Sequence, residues 1–201
     1  SNIGMQVIAL ASKREYVGKD IFSSNDEKNM TFIGFVAFLD PPKKEVKETI
    51  KKLKEYGITT KIITGDNQYA TENICNLVGI SNKKILLGKD IDNLSDEELS
   101  KEVEEVNVFA RMNPLQKERI IKILKNNGHV VGYMGDGVND APSLHNADVG
   151  ICVNTATDIA KEASDIILLE KSLKVIFNGV IEGRKVYGNI IKYMKMALSS
   201  D

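Results

Sequence analysis

His129-Val130-Val131-Gly132-Tyr133-Met134-Gly135-Asp136-Gly137-Val138-Asn139-Asp140-Ala141-Pro142 runs from an apolar stretch through a loop of glycines and acids to a proline. His129 to Met134 reads as a strand. Pro142 fits the first turn of a helix whose N-cap is Asp140 or Asn139. A strand, a tight loop and a helix in that order place the loop at the carboxyl end of a strand, where open parallel sheets bind their ligands. Two carboxylates and an amide oxygen on one tight loop are hard ligands, suited to Mg2+ held together with a phosphate. The plainer reading is a glycine-rich turn with Asp140 merely capping the helix. Asp136, a second acid set between Gly135 and Gly137, is more than such a turn needs.

Outward from this stretch the same alternation recurs. Further strands are predicted at Phe32 to Leu39, Thr60 to Ile63, Asn107 to Ala110, Val149 to Val153 and Ile166 to Leu169. Most are continuous Val/Ile-rich runs, as expected where both faces of a parallel sheet are covered. Helices are predicted between them. Lys44 to Tyr56 places Val46, Ile50 and Leu53 on one face, with Gly57 as a stop. Asn67 to Val78 ends before Gly79, and Pro114 to Asn126 ends before Gly128. Ser95 to Glu105 opens with the capping-box pattern Ser95-x-x-Glu98. Regular strand–helix alternation predicts an α/β fold: a doubly wound, Rossmann-like parallel sheet with right-handed crossovers.

The flanks read differently. Met5 to Ala11 is an apolar strand followed by a polar loop through Ser23-Ser24-Asn25-Asp26-Glu27. Asp40-Pro41-Pro42 holds the chain extended and stiff. Asn189 to Ser200 reads as an amphipathic helix that stops without a cap.

Two more polar signals fall at the same sheet edge. Thr64-Gly65-Asp66-Asn67 follows one strand and precedes a helix. Gly65 lets backbone approach a ligand, Asn67 can cap the helix, and Thr64 offers a hydroxyl donor. By itself this is a capped turn. Lys117 lies near the start of Pro114 to Asn126, preceded by Arg111 and Asn113. Alone it reads as a solvated surface charge, and in company as a point charge for a phosphoryl group. No Gly-x-x-x-x-Gly-Lys loop or kinase signature is present. Metal ligands, hydroxyl and lysine therefore point to an acceptor carboxylate supplied from outside these residues.

Composition excludes several classes. The 201 residues carry a net charge of −1, which argues against nucleic acid as the main partner. Cys75 and Cys152 lie far apart with no Cys-x-x-Cys or Cys/His cluster, so core packing is expected and a zinc site is not. No stretch reaches the ~18 to 20 apolar residues of a spanning helix, so this segment is expected to be soluble.

Thr64-Gly65-Asp66-Asn67, Phe109-Ala110-Arg111-x-x-Pro114-x-x-Lys117 and the run Gly135 to Leu144 together resemble the phosphorylation domain of P-type ATPases, within the haloacid dehalogenase superfamily. The resemblance covers nearly the whole chain and takes Asp40-Pro41-Pro42 as the hinge returning from the nucleotide-binding domain. It implies residues 1–30 as the tail of that domain with a linker, 31–188 as the phosphorylation domain, and 189–201 as the start of a stalk helix toward a membrane. It implies an aspartyl phosphate formed from ATP and then hydrolysed, coupled to cation movement. Asp136 would coordinate Mg2+, with Asp140 and Asn139 supporting metal and loop. Thr64 would hydrogen-bond a phosphoryl oxygen, Lys117 would neutralise it, and Gly65 and Asp66 would shape that loop. The family's Asp-Lys-Thr-Gly-Thr sequence is absent from these residues. The sheet is thus expected to lack the strand bearing the phosphorylated aspartate, and this polypeptide alone to be inactive. Nucleotide-binding, actuator and transmembrane domains would be its partners, on the cytoplasmic face of a membrane.

Gly34 to Pro42, Gly128 to Leu144 and above all Asp165 to Leu173 look most like the magnesium-importing subgroup. Calcium and other cation pumps share the core motifs. A stand-alone phosphatase of the superfamily would need an Asp-x-Asp near the N-terminus, and the first forty residues contain none. A binding module holding Mg2+ or phosphate for regulation is the remaining alternative.

Overall fold

Gly57, Gly79 and Gly128 all adopt the left-handed backbone (φ 75°, 80° and 88°) just past helix ends, as their positions in the sequence predict. At Gly79 the amide donates to Cys75 O at 2.8 Å, satisfying a carbonyl the helix leaves open. The computed structural model describes residues 6–13, 23–38 and 42–199. Met5, Leu39 and the Asp40-Pro41 part of the hinge lie outside the described residues.

The described chain forms strands β1 (Gln6–Ser12), β2 (Thr31–Phe38), β3 (Ile62–Ile63), β4 (Ile85–Leu87), β5 (Val108–Ala110), β6 (Gly132–Met134), β7 (Val149–Val153) and β8 (Ile166–Leu168). Its helices are α1 (Lys44–Glu55), α2 (Gln68–Val78), α3 (Gly88–Asp92), α4 (Asp96–Glu105), α5 (Pro114–Asn126), α6 (Ala141–Asn146), α7 (Asp158–Glu162) and α8 (Leu173–Leu198). Strands β3-β5-β4 and β6-β7-β8 form two parallel sheets, each crossover carrying a helix. The α/β class with parallel strands is therefore as expected. The hydrogen bonding, however, divides into two three-stranded sheets, with β3 and β6 at open edges.

Three differences from the sequence reading have physical causes. β2 does not join a parallel sheet; it pairs antiparallel with β1 in a two-stranded ribbon, and Phe35 is 70% exposed. A continuous apolar run looks the same in a strand covered on both faces and in an exposed two-stranded ribbon. β4 and α3 escape notice because three residues followed by a glycine carry no period. α8 begins at Leu173, well before Asn189, because Gly179, Gly183 and Gly188 dilute its pattern; all three glycines stand in open space. Among the described residues no helix is long and apolar enough to cross a membrane.

Helix α5 organises the interior. Ile120, Ile123 and Leu124 pack with Leu99, Val103 and Phe109, whereas Ile121 packs with Tyr133, Leu144 and Ile151. Ile120 and Ile121 are fully buried, each worth ~1.5–3 kcal/mol of transfer free energy. One helix thus locks both sheets, and its first turn is held where Lys117 must point. Cys75 and Cys152 are free and buried, as expected. Burial pushes the Cys75 thiol up to about 11.

Candidate active site

The loop after β3 is built around Thr64. Its amide donates to Phe109 O at 2.9 Å, extending the β3–β5 pairing, and its carbonyl accepts Met112 N at 2.9 Å. The Thr64 hydroxyl oxygen accepts the Asp66 amide at 3.1 Å, which leaves its hydrogen to donate elsewhere. Arg111 N–H donates to Asp66 O at 2.9 Å. Arg111 itself sits at φ 56°, a left-handed conformation costing ~1–3 kcal/mol in a non-glycine residue. Backbone bonds from residues 111 and 112 to this loop hold it there. Gly88 allows the fit, since a Cβ at that position would lie 2.5 Å from Arg111 O. Asn67 caps α2 as expected, its side chain accepting Ala70 N at 2.9 Å. Gly65 and Asp66 are exposed beside it.

Lys117 is placed by its neighbours. Asn113 and Gln116 exchange hydrogen bonds of 2.9 Å in a capping box, with Pro114 at the helix start. The buried Gln116 amide also donates to Gly88 O at 3.0 Å and Asp92 Oδ1 at 2.7 Å. A fully engaged polar side chain here fixes the turn that starts α5.

The loop after β6 meets that lysine. Lys117 Nζ donates to Asp140 Oδ1 at 2.8 Å, with side chains only 12% and 14% exposed. The Tyr133 hydroxyl donates to the same oxygen at 2.9 Å, and Gly137 N reaches Oδ2 at 3.3 Å. A Cβ at Gly135 would lie 2.6 Å from Asp140 Cβ, so only glycine admits this side chain. Asp140 occupies the N-cap position of α6 as expected, but its side chain makes no capping bond. The capping reading of this acid is therefore overturned: its carboxylate is drawn inward by two stronger donors. Burial acts to raise the Asp140 carboxyl, but hydrogen bonds from Lys117 and Tyr133, with the lysine charge and Gly137, outweigh it and hold it below the ordinary carboxylate value. Burial and then the Asp140 charge push the Tyr133 phenol up.

Asp136 behaves differently. It is mostly exposed, and Lys171 Nζ approaches its Oδ2 at 3.2 Å. Its carbonyl accepts Thr157 N at 3.2 Å, tying the loop to the start of α7. Asn139 is exposed on the same turn. Lys117, on the helix after β5, thus joins the loop after β6, bringing the carboxyl ends of the two sheets together. The sequence reading gives no functional role to Tyr133, Lys171 or Gln116. The one available signal was a tyrosine inside a buried strand, whose hydroxyl needs a partner.

A family profile for haloacid dehalogenase-like hydrolases matches residues 8–148. The chain belongs to that family. Similar proteins include a magnesium-transporting ATPase, P-type 1, of Escherichia coli strain K12, 48% identical over 198 residues that cover 98% of this chain. A calcium-transporting ATPase of Bacillus subtilis strain 168 is 40% identical over 98% of the chain, and the endoplasmic reticulum calcium ATPase srcA of Aspergillus fumigatus is 37% identical over all of it. The chain spans about 22% of the length of these curated relatives.

The donors of this haloacid dehalogenase-like domain fit a hard divalent cation sharing its shell with phosphate and water. Among the described residues no three His, Cys, Asp or Glu side chains gather into a complete metal cage. Mg2+ does not require one, since it commonly takes one or two carboxylates and keeps several waters. Asp136 is exposed and already attracts an ammonium, and Asp140 Oδ2 lies against Gly135 and Gly137 on either side of Asp136.

Proposed function

We propose that this chain serves as the phosphorylation domain of a P-type ATPase that moves cations, holding the Mg2+ ligands and the neutralising charge for an aspartyl phosphate. The observation that carries this reading is the largely covered Lys117–Asp140 pair, which links a helix following one sheet to the acidic loop of the other. β3 and β6, the strands that feed the Thr64 and Asp136 loops, are both open-edged. That arrangement supports a missing strand bearing the acceptor aspartate, supplied by another part of the parent protein.

In this reading the acceptor carboxylate oxygen attacks the γ-phosphorus of ATP, the bond to the β-phosphate oxygen breaks, and ADP leaves. Water later cleaves the acyl phosphate and releases inorganic phosphate. Thr64 donates its free hydroxyl hydrogen to a phosphoryl oxygen. Lys117 has three N–H donors, so it can keep Asp140 and still reach that phosphoryl group. Gly65 and Asp66 hold the Thr64 loop, and Asn139 supports the metal loop. Asp136 and Asp140 would hold Mg2+, which when bound spreads the negative charge of the transferring group.

The β1–β2 pairing favours a nucleotide-binding-domain assignment for both strands, with the junction after β2 rather than at residue 30. Residues 42–188 then form the phosphorylation domain, and the end of α8 leads toward a membrane, the domain standing on its cytoplasmic face. The higher identity to magnesium-transporting relatives favours Mg2+ over calcium as cargo. In the full-length protein, Asp136→Ala should abolish phosphoenzyme formed from labelled ATP; normal phosphoenzyme would overturn the catalytic reading. Uptake of Mg2+ or of Ca2+ by vesicles containing the full-length protein decides the cargo. The 201-residue chain alone should show no Mg2+-dependent ATP hydrolysis.

A further inference from the structure

The Tyr133 hydroxyl has no part in the phosphoryl-transfer reading above, yet it is buried beside the acidic loop. Tyr133 stands at the middle of β6, is 9% exposed, and packs with Ile121, Leu144 and Ile151. Apolar contacts alone would suit phenylalanine equally well. Instead the hydroxyl finds Asp140 Oδ1 at 2.9 Å, the oxygen that Lys117 Nζ meets at 2.8 Å.

The division of the carboxylate follows from lone-pair counting. Each carboxylate oxygen offers about two acceptor sites. Oδ1 fills both, with Lys117 and Tyr133. Oδ2 takes one contact, from Gly137 N at 3.3 Å. A Cβ built on Gly135 or Gly137 would approach Oδ2 at 3.0 Å and 3.6 Å, so this oxygen faces the loop that carries Asp136.

We propose that Tyr133 is a positioning residue for metal-assisted phosphoryl transfer: its hydroxyl pins Asp140 Oδ1, so that Oδ2 is presented to a divalent cation shared with Asp136. The lysine alone would do this poorly. Its ammonium ends a flexible stem and must also serve the phosphoryl group, whereas the tyrosine is rigid and wedged in a strand. The inference rests on the phosphorylation-domain reading above.

The test uses the full-length protein carrying Tyr133→Phe, which removes one oxygen and keeps the packed ring. Aspartyl phosphate formed from inorganic phosphate is measured against Mg2+ concentration, and again against Mn2+ so that a cargo effect peculiar to magnesium is separated. Half-saturation for both metals should rise about threefold to tenfold, the scale of one donor lost from a charged acceptor that keeps its other partners. At saturating metal, the inorganic-phosphate half-saturation and the maximal phosphoenzyme level should stay within about twofold. Unchanged metal curves overturn the proposal. So does an equal shift in the metal and phosphate curves with a lowered melting temperature, which marks a merely structural hydroxyl. Asp136→Ala, run in parallel, isolates the parent reading: phosphoenzyme retained there sinks the phosphorylation-domain assignment itself.

Discussion

Two lysine–aspartate pairs sit four residues apart on the loop after β6, and they are opposites. Lys117–Asp140 closes at 2.8 Å with both side chains nearly covered; Lys171–Asp136 stands at 3.2 Å with side chains 64% and 59% exposed. Charge and partner type are the same, so the difference lies in solvent. A covered pair is bound into the packing, because removing one member strands the other in a poorly solvated site. An exposed pair exchanges freely with water and ions. The loop therefore holds Asp140 fixed through Oδ1 and leaves Asp136 free to exchange partners; in the proposed reading the fixed acid presents Oδ2 to the metal and the exposed one completes its protein ligands.

The largest expected effect comes from breaking the covered pair. Lys117→Met should destabilise the domain by ~1.5–3 kcal/mol, read as a lowered denaturant midpoint, because the largely covered Asp140 loses its charged donor and keeps only Tyr133 and Gly137. A change below about 1 kcal/mol, the range of exposed pairs, would erase the contrast. Next is Gly135→Ala. Its Cβ would fall 2.6 Å from Asp140 Cβ, and displacing that side chain should cost ~1–3 kcal/mol while leaving Lys171–Asp136 intact.

Acid should separate the pairs as well. The Asp140 carboxyl is held below its ordinary value of 3.8 in the folded protein, so its protonated form favours the unfolded chain. Its stabilising contribution is full above that ordinary value and is lost as pH falls through the lowered folded value. Acid titrations of stability should therefore drop less steeply over that window in Asp140→Asn than in the unaltered chain. Equal slopes would mean that Lys117 and Tyr133 do not hold the charged form.

How much of this was legible depended on the reach of each signal. Pro114 to Asn126 and Val149 to Val153 were read with the bounds they have, because a proline cap or a dense apolar run is local. Of the candidate site, the structure brings together Lys117 and Asp140, a meeting the sequence suggests only through motifs taken together, since Lys117 alone reads as a surface charge. Which acid is covered was not legible, since an Asp140 that caps a helix, one that binds metal and one drawn inward look identical in sequence. Tyr133 was hidden inside an apolar strand, where its ring satisfies the pattern and its hydroxyl goes unnoticed. Lys171 lies 35 residues from Asp136 and reaches it only after β7, α7 and β8 have folded back. The ribbon escapes the sequence because an apolar run names neither the strand it pairs with nor whether its faces are covered: Phe35 of β2 stands 70% exposed.

The smallest effect in stability is the most informative for function. Lys171→Ala should change stability by less than ~1 kcal/mol, since exposed ion pairs at this separation are screened and entropically costly. It should nevertheless raise the apparent Mg2+ affinity of the full-length protein, because the ammonium and the metal compete for the same carboxylate. A twofold to fivefold lower Mg2+ half-saturation for phosphoenzyme formation is expected, on the order of 0.5–1 kcal/mol. The gain should shrink as ionic strength rises, because salt with a Debye length of ~8 Å near 0.15 M already screens the lysine in the unaltered protein. A weaker Mg2+ response in Lys171→Ala would invert the comparison, making Lys171 an organiser of Asp136 rather than its competitor.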